Sequence, residues 1–332
     1  MKISASIYSN KERPVLETVK DLVDHGVDML HIDCNDDPRV FDDIAAIRTF
    51  TKTPIDLHLI TPEPEKYYDA LHQFQPEMVS LQWESMLRHP ELPNIHNTSF
   101  GLALKTETPV DILQQASGYC YTMLMSTTPG ASGGAFRIEN FQRINKVCQQ
   151  FPRLKIQVDG GVNDAIAFIL RLQGVQSVVS GSYLMNHQTI GSGLLSFYRL
   201  PKSDSNILIS DFMLPLEQTP MVKEENGSFL ELLQLMEDFR QGYVMITEAN
   251  GILKGVISNA DLRRGLLKHF HQPHQLSASS IMNRTPITIS KHATLYDMLE
   301  KIQSLPFIIL FLPVIDESGR LCGSVLLNQL VR

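Results

Sequence analysis

Disulfide chemistry is all but excluded by what the chain lacks. It has four cysteines, Cys34, Cys120, Cys148 and Cys322, widely scattered and with no C-x-x-C pair. That spacing builds neither a disulfide framework nor a zinc knuckle, and a reducing cytoplasm is the expected setting. Long apolar runs are missing too. No stretch approaches the roughly 20 residues that cross a bilayer, and the opening MKISASIYSNKERP has no signal-peptide core, so no membrane association is expected. Positive charge is in deficit: 29 Lys and Arg against 36 Asp and Glu leave a net charge of -7 with no basic run, which argues against nucleic acid as a partner. What remains is an ordinary globular composition, 43% hydrophobic and 20% charged, with 332 residues to share between two domains.

From residue 1 to about 200, short apolar runs alternate with amphipathic stretches of helical length. The expected strands are 2–7, 28–34, 55–60, 78–83, 99–104, 121–126, 155–160 and 177–182, with helices such as 14–26 and 136–151 between them. Near-continuous apolar strands separated by helices imply a parallel sheet covered by helices. Eight such units fit a closed (β/α)8 TIM barrel, with a doubly wound open sheet as the structural alternative. Polar residues at strand C-termini (Asp33, His58, Glu84, Lys105, Asp159) favour the barrel, because its active sites are built on that rim.

The stretch MLHIDC (29–34) poses the chemical question. His31 and Asp33 stand two apart in an apolar strand and therefore share a face. A buried carboxylate is costly unless a cation or strong donors compensate it. His58 and Asp159 end two further strands, so two imidazoles and two carboxylates converge on one rim, a donor set suited to a divalent transition metal. The remaining histidines read as core or surface residues, including the polar trio His269, His271 and His274. Glycine-rich turns TTPGASGG (127–134), VDGGVN (158–163) and VSGS (179–182) follow strands six, seven and eight. Glycine lets backbone N–H groups approach phosphate oxygens, so a phosphate-bearing substrate is expected.

These pieces, ISASI, LHID, DLHLI, GLALK, TPGASGG, VDGGVN and GS in that order over residues 2–198, make the first domain similar to the ribulose-phosphate 3-epimerase family. The resemblance implies a barrel that inverts one carbinol centre of a phosphorylated ketopentose. It assigns one divalent metal ion (Zn, Fe, Mn or Co) to His31, Asp33, His58 and Asp159, with Asp33 and Asp159 as base and acid in either order. Ser6 would touch substrate, and His58, Gly130, Ala131, Ser132, Gly133, Gly160, Gly161, Gly181 and Ser182 would line the substrate and phosphate path. The sequence departs from the family pattern at Cys34, Asn35 and Asp37, where Val, Met and Gly are usual, and at Ile60, Gln82, Lys105, Thr106, Ala131 and Ser132; Glu84 is kept. An epimerase of another ketohexose or heptulose phosphate is therefore an alternative, and a non-catalytic nucleotide-sensing scaffold is an alternative of another class.

The stretch 201–206 (PKSDSN) reads as a linker between a barrel over 1–200 and an internal repeat over 207–332, with copies at 207–270 and 276–332. Gly255 and Gly323 are 68 residues apart (323 − 255), and Met213 and Met282 are 69 apart (282 − 213). The repeat resembles a pair of CBS domains. GVISNAD (255–261) carries that family's glycine, Ser/Thr and Asp, so Ser258 and Asp261 are the candidates for an adenine nucleotide, while Leu326 and Gln329 stand at the matching places of the second copy. Barrels and CBS pairs of these families self-associate, so a homo-oligomer is expected.

Overall fold

The computed structural model describes residues 1–130, 133–201, 206–272 and 275–327. The chain divides into two compact units, Met1–Ser203 and Asp204–Arg332. In the first, eight parallel strands run β1 (Lys2–Ser6), β2 (Met29–Cys34), β3 (Ile55–Leu59), β4 (Met78–Gln82), β5 (Ser99–Leu104), β6 (Tyr121–Met125), β7 (Lys155–Asp159) and β8 (Ser177–Ser180). The sheet closes in sequence order, with β1 hydrogen-bonded to β8 (Ile3 opposite Val178). The open doubly wound alternative is thereby removed.

Helices α1 (Val15–Asp24), α2 (Val40–Arg48), α3 (Tyr68–Phe74), α4 (Glu139–Gln150), α5 (Asp164–Leu172), α6 (Ser182–Met185) and α7 (Ile190–Ser196) cover the outside. α1 buries a stripe at helical spacing with Thr18, Val19 and Leu22, and α4 with Phe141, Ile144 and Val147, whereas α5 is buried almost all round. The α5 helix starts at Asn163, whose side chain accepts from the Ile166 N–H at 2.9 Å. The expected alternation fails at two crossovers. After β4 and β5 stand only the 3-10 segments Trp83–Ser85 and Val110–Gln115. Pro90 and Pro93 remove amide donors from the first of these connections, and Gly118 weakens the second.

The barrel interior is polar on one level. Tyr121 crosses Gly101 of the adjacent strand β5 to bond Ser80 Oγ of β4 at 2.8 Å. Gly101 makes room, since a Cβ there would stand 2.3 Å from the Tyr121 ring. Strands β3 and β7 face each other across the closed sheet, and Gln157 Nε2 donates to Asp56 Oδ2 at 2.6 Å across the centre.

The second unit holds β9 (Leu214–Pro215), β10 (Met221–Lys223), β11 (Tyr243–Thr247), β12 (Leu253–Ser258), β13 (Ile289–Ser290), β14 (Phe311–Ile315) and β15 (Leu321–Leu326), with α8 (Ile209–Phe212), α9 (Phe229–Phe239), α10 (Asn259–Lys268), α11 (Ala278–Ile281) and α12 (Leu295–Gln303). Its sheets are ordered β10-β11-β12 and β13-β14-β15-β9. The repeat is visible in reciprocal bonds. Leu253 N–H donates to Gly319 O and Leu321 N–H to Gly251 O, each at 3.0 Å. Tyr243 and Phe311, again 68 apart (311 − 243), stack with centroids 4.1 Å apart. No helix among the described residues is long and apolar enough to cross a membrane.

Candidate active site

Strand alternation delivers the site. On β2 the side chains of His31 and Asp33 project from one face, and on β3 those of Asp56 and His58 do the same. His31 is 1% exposed and His58 fully buried. Asp33 Oδ1 lies 3.3 Å from His31 Nε2 and 3.2 Å from His58 Nδ1. One donor atom each from His31, His58 and Asp159 lie within 4.8 Å of one another. Three separate strands thus bring together the four side chains singled out in the sequence.

The outward-facing nitrogens of the two imidazoles are each held by an acceptor. His31 Nδ1–H donates to Asp56 Oδ2 at 3.0 Å, and that oxygen also accepts from Ser4 Oγ at 2.8 Å and Gln157 Nε2. Gln82 Nε2 donates to the Glu84 carboxylate and, at 3.3 Å, to Ala103 O, so its Oε1 is left to accept from His58 Nε2–H at 2.8 Å. Glu84 is fixed in turn by Lys105 N–H at 2.8 Å and by the Thr108 hydroxyl. Nε2 of His31 and Nδ1 of His58 are therefore the atoms presented to Asp33.

Two imidazole lone pairs and a carboxylate oxygen facing one point repel one another unless a proton or a cation stands between them. Ligands bonded at about 2.0–2.2 Å to a single ion lie about 2.8–3.6 Å apart for right-angled to tetrahedral arrangements. The observed 3.2 and 3.3 Å fit that edge length. With carboxylate and amide partners behind the histidines, in the manner of supported metal ligands, the donor set suits a divalent cation.

The electrostatics are asymmetric. Burial by itself would lower His31, but the carboxylates of Asp56 and Asp33 outweigh it and raise the imidazole well above its ordinary value. Burial likewise opposes the charge on Asp33, yet His31 and His58 hold that carboxyl far below the usual range. Asp159 goes the other way. Burial pushes it up to about 6, with His31 and His58 pulling down and Asp33 and Asp56 pushing up.

Around the mouth, Ser6 Oγ accepts from Ser9 Oγ at 3.0 Å, and Gly181 lies so close that a Cβ would fall 2.0 Å from Ser9 Oγ. Ser182 opens α6. Gly130, Gly133, Gly160 and Gly161 all take positive φ. Packing alone explains several of these glycines: Gly160 meets Thr127, Gly161 the Phe136 backbone, and Gly130 the Asn35 amide, while Gly133 has open space. Ala131, Ser132, His274 and Gln329 lie outside the described residues. Sequence reasoning missed Asp56, Ser4 and Gln157 behind His31, although Asp56 stands two before His58 on its strand as His31 stands two before Asp33. Ser9 was missed as well.

In the second unit, Ser258 caps α10. Asp261 Oδ2 accepts from Ser258 N–H at 2.8 Å and from its hydroxyl at 2.6 Å, and Asp261 Oδ1 pairs with Arg264.

Comparison with known proteins agrees with this architecture. A model of the ribulose-phosphate 3 epimerase family matches residues 2–185, and a CBS domain model matches residues 278–332, the repeat copy in which Leu326 replaces the hydroxyl residue. The ribulose-phosphate 3-epimerase of Synechocystis sp. is 28% identical over 207 residues, covering 55% of this chain and 87% of that protein. That of Bacillus subtilis is 27% identical over 206 residues, covering 55% and 91%. Among solved structures, a CBS-pair protein from Arabidopsis thaliana aligns with 39% of this chain and 94% of its own, at 24% identity and a TM-score of 0.33. The family match spans more than half of the 332 residues, on a closed barrel whose rim carries the His and Asp cluster: the chain belongs to the ribulose-phosphate 3-epimerase family of isomerases and carries a CBS domain at its C-terminal end.

Proposed function

We propose that the barrel epimerises carbon 3 of a phosphorylated ketose, D-ribulose 5-phosphate to D-xylulose 5-phosphate being the first candidate, and that it does so with a divalent metal. The observation that carries this is the meeting of His31, His58 and Asp159 donor atoms within 4.8 Å, with the Asp33 carboxylate against both imidazoles, at the C-terminal ends of β2, β3 and β7. His31, Asp33, His58 and Asp159 would hold the ion, which when bound would supply positive charge to the substrate oxygens that turn negative.

Inversion needs two proton carriers. One removes the proton from carbon 3, the electron pair passes onto the ketone oxygen to give an enediolate, and the other returns a proton to the opposite face. Asp33, held ionised by His31 and His58, is in the protonation state a base needs, and Asp159, raised to about 6 by burial, is the carboxyl of the two that more readily carries a proton. In the reverse direction the two exchange roles. Ser6 and the backbone around Gly130, Gly133, Gly160, Gly161, Gly181 and Ser182 would receive the sugar chain and its phosphate.

For the tail we propose an adenine nucleotide site at Ser258 and Asp261, in a functional division of barrel 1–200, linker 201–206 and CBS copies 207–270 and 276–332. Leu230, Leu267 and Phe270, exposed at 75, 75 and 73%, support self-association of the chain. The cysteines are all free, which suits a reducing cytoplasm.

The test is deuterium exchange in D2O, read by NMR on metal-loaded protein. Label entering carbon 3 of one ketose phosphate, and lost in Asp33→Asn and Asp159→Asn, is the expected result. No exchange with any ketose phosphate by folded, metal-loaded protein would refute the catalytic reading and leave the scaffold reading standing.

A further inference from the structure

We infer that Asn35 is a specificity-determining residue whose side-chain amide hydrogen-bonds a hydroxyl of the bound sugar. This rests on the epimerase reading and deepens it.

Asn35 stands two residues after Asp33, just past the end of β2 where the chain bends. Its neighbours are tied down. Cys34 O accepts from Ile60 N–H at 2.9 Å, and Cys34 Sγ donates to Asp37 O at 3.4 Å. Asp36 takes φ +57°, a left-handed turn that Asp tolerates. Its Oδ1 accepts from Thr61 Oγ1 at 2.6 Å and Tyr67 OH at 3.0 Å and pairs with Lys66 Nζ at 2.6 Å. Asp37 is clamped by Arg39. Between these fixed residues the Asn35 amide is exposed and has no hydrogen-bond partner among the described residues.

Its reach is long. A Cβ placed on Gly130 would stand 2.3 Å from Asn35 Oδ1 and 2.8 Å from Nδ2. Gly130 follows β6, which stands opposite β2 in the eight-stranded closed barrel. The amide and the Gly130 backbone therefore meet across the barrel mouth, over the rim where Asp33, His31, His58 and Asp159 converge. An apolar side chain would suffice for a merely steric cover. An amide that a bound ligand shields from water is unfavourable unless the ligand answers it. The ligand groups of a phosphorylated ketose that answer one acceptor and two donors at once are its hydroxyls. The bonds that hold Cys34 and Asp36 fix the backbone from which the amide projects before the sugar arrives.

The experiment compares the wild type with Asn35→Leu, which removes the amide, and Asn35→Asp, which keeps an acceptor and loses the donors. Metal content, calorimetric affinity and carbon 3 deuteration are measured with ribulose 5-phosphate, fructose 6-phosphate and sedoheptulose 7-phosphate. For the sugar the wild type prefers, Asn35→Leu is expected to weaken binding by about tenfold and to narrow the kcat/KM ratio over the next-best sugar, with metal content unchanged. A wild type that turns over one sugar, beside variants that keep its affinities and ranking within twofold, overturns this inference and leaves the epimerase reading intact. Loss of metal from both variants overturns it too, by placing Asn35 in support of the ion. A wild type that neither binds nor exchanges any of the three sugars overturns the inference and the reading beneath it together.

Discussion

Gln82 is the test of how the site is held. Its amide orientation is dictated by Glu84 and Ala103 O, and that orientation presents Oε1 to His58 Nε2–H at 2.8 Å inside a fully buried environment. Replacing Gln82 by Leu removes the acceptor and leaves a buried imidazole N–H without a partner, a loss of about 1–3 kcal/mol. The imidazole then has no reason to keep its proton on Nε2, and Nδ1 loses its fixed lone pair toward the site. Partners of this kind affect metal affinity by roughly 10–100-fold, which is about 1.4–2.8 kcal/mol, the same range as the hydrogen-bond estimate. The assay is competition between protein and a chromophoric chelator for Zn(II), with Co(II) spectra to report the histidine ligands. Thr122→Ala is the control: it removes a buried hydrogen bond of similar length, 2.9 Å to Leu102 O, on β6 and away from the His and Asp cluster. Gln82→Leu should lose metal affinity where Thr122→Ala loses only fold stability. An unchanged affinity in folded Gln82→Leu would refute the claim that this amide sets the His58 tautomer.

Three further outcomes are expected. Because Asp56 and Asp33 raise His31 above its ordinary value, metal must displace a proton from it below that raised pKa; affinity should fall by about tenfold for each pH unit of acidification there, and calorimetry in buffers of different ionisation enthalpy should show one proton released per ion, a release reduced in Asp56→Asn. Gly101→Ala forces a Cβ to 2.3 Å from the Tyr121 ring and should cost about 1–3 kcal/mol in urea unfolding, with an unshifted midpoint counting against the tight crossing described above. Asp261→Asn should abolish AMP binding heat if the first repeat copy is the nucleotide site, whereas binding that survives would move the site elsewhere in the second unit.

Much of the barrel was legible because parallel strands buried on both faces leave apolar runs that helices then separate. The catalytic candidates were legible because a charge inside such a run has few bland explanations. The same argument applied to IDLHL, where Asp56 and His58 share a face, but Asp56 lies deeper and its partners, Ser4 and Gln157, come from strands 52 and 101 residues away in sequence. Pairings at that distance leave no local pattern. The Gln82 lock was equally hidden: the residue was visible as a departure from its family, but its function depends on which way an amide points, and that is decided by Glu84 and the carbonyl of Ala103. Of the two missing helices, the first has a sequence signal in Pro90 and Pro93 and the second only Gly118, and neither disturbs the regular spacing of the strands.

In the second unit, the offset of 68 residues reappears atom for atom in the reciprocal Gly251 and Gly319 turns, both at positive φ, and in the Tyr243–Phe311 stack. Symmetry of that kind makes its breaches informative. Three residues, 240–242, join α9 to β11, whereas seven, 304–310, join α12 to β14, and the longer connection exposes Phe307, Ile308 and Leu310. The equivalent of Ser258 is Leu326, which has no hydroxyl with which to cap or bind. Both breaches fall in the second copy, while Ser258 and Asp261 keep a complete capping pair in the first. A duplicated module needs both copies to complete its sheets, since Leu214 pairs with Ser324 and Asn283 with Val256 across the repeat. The second copy is therefore bound to persist for folding even where it has lost its polar signature, and the search for a ligand belongs in the first.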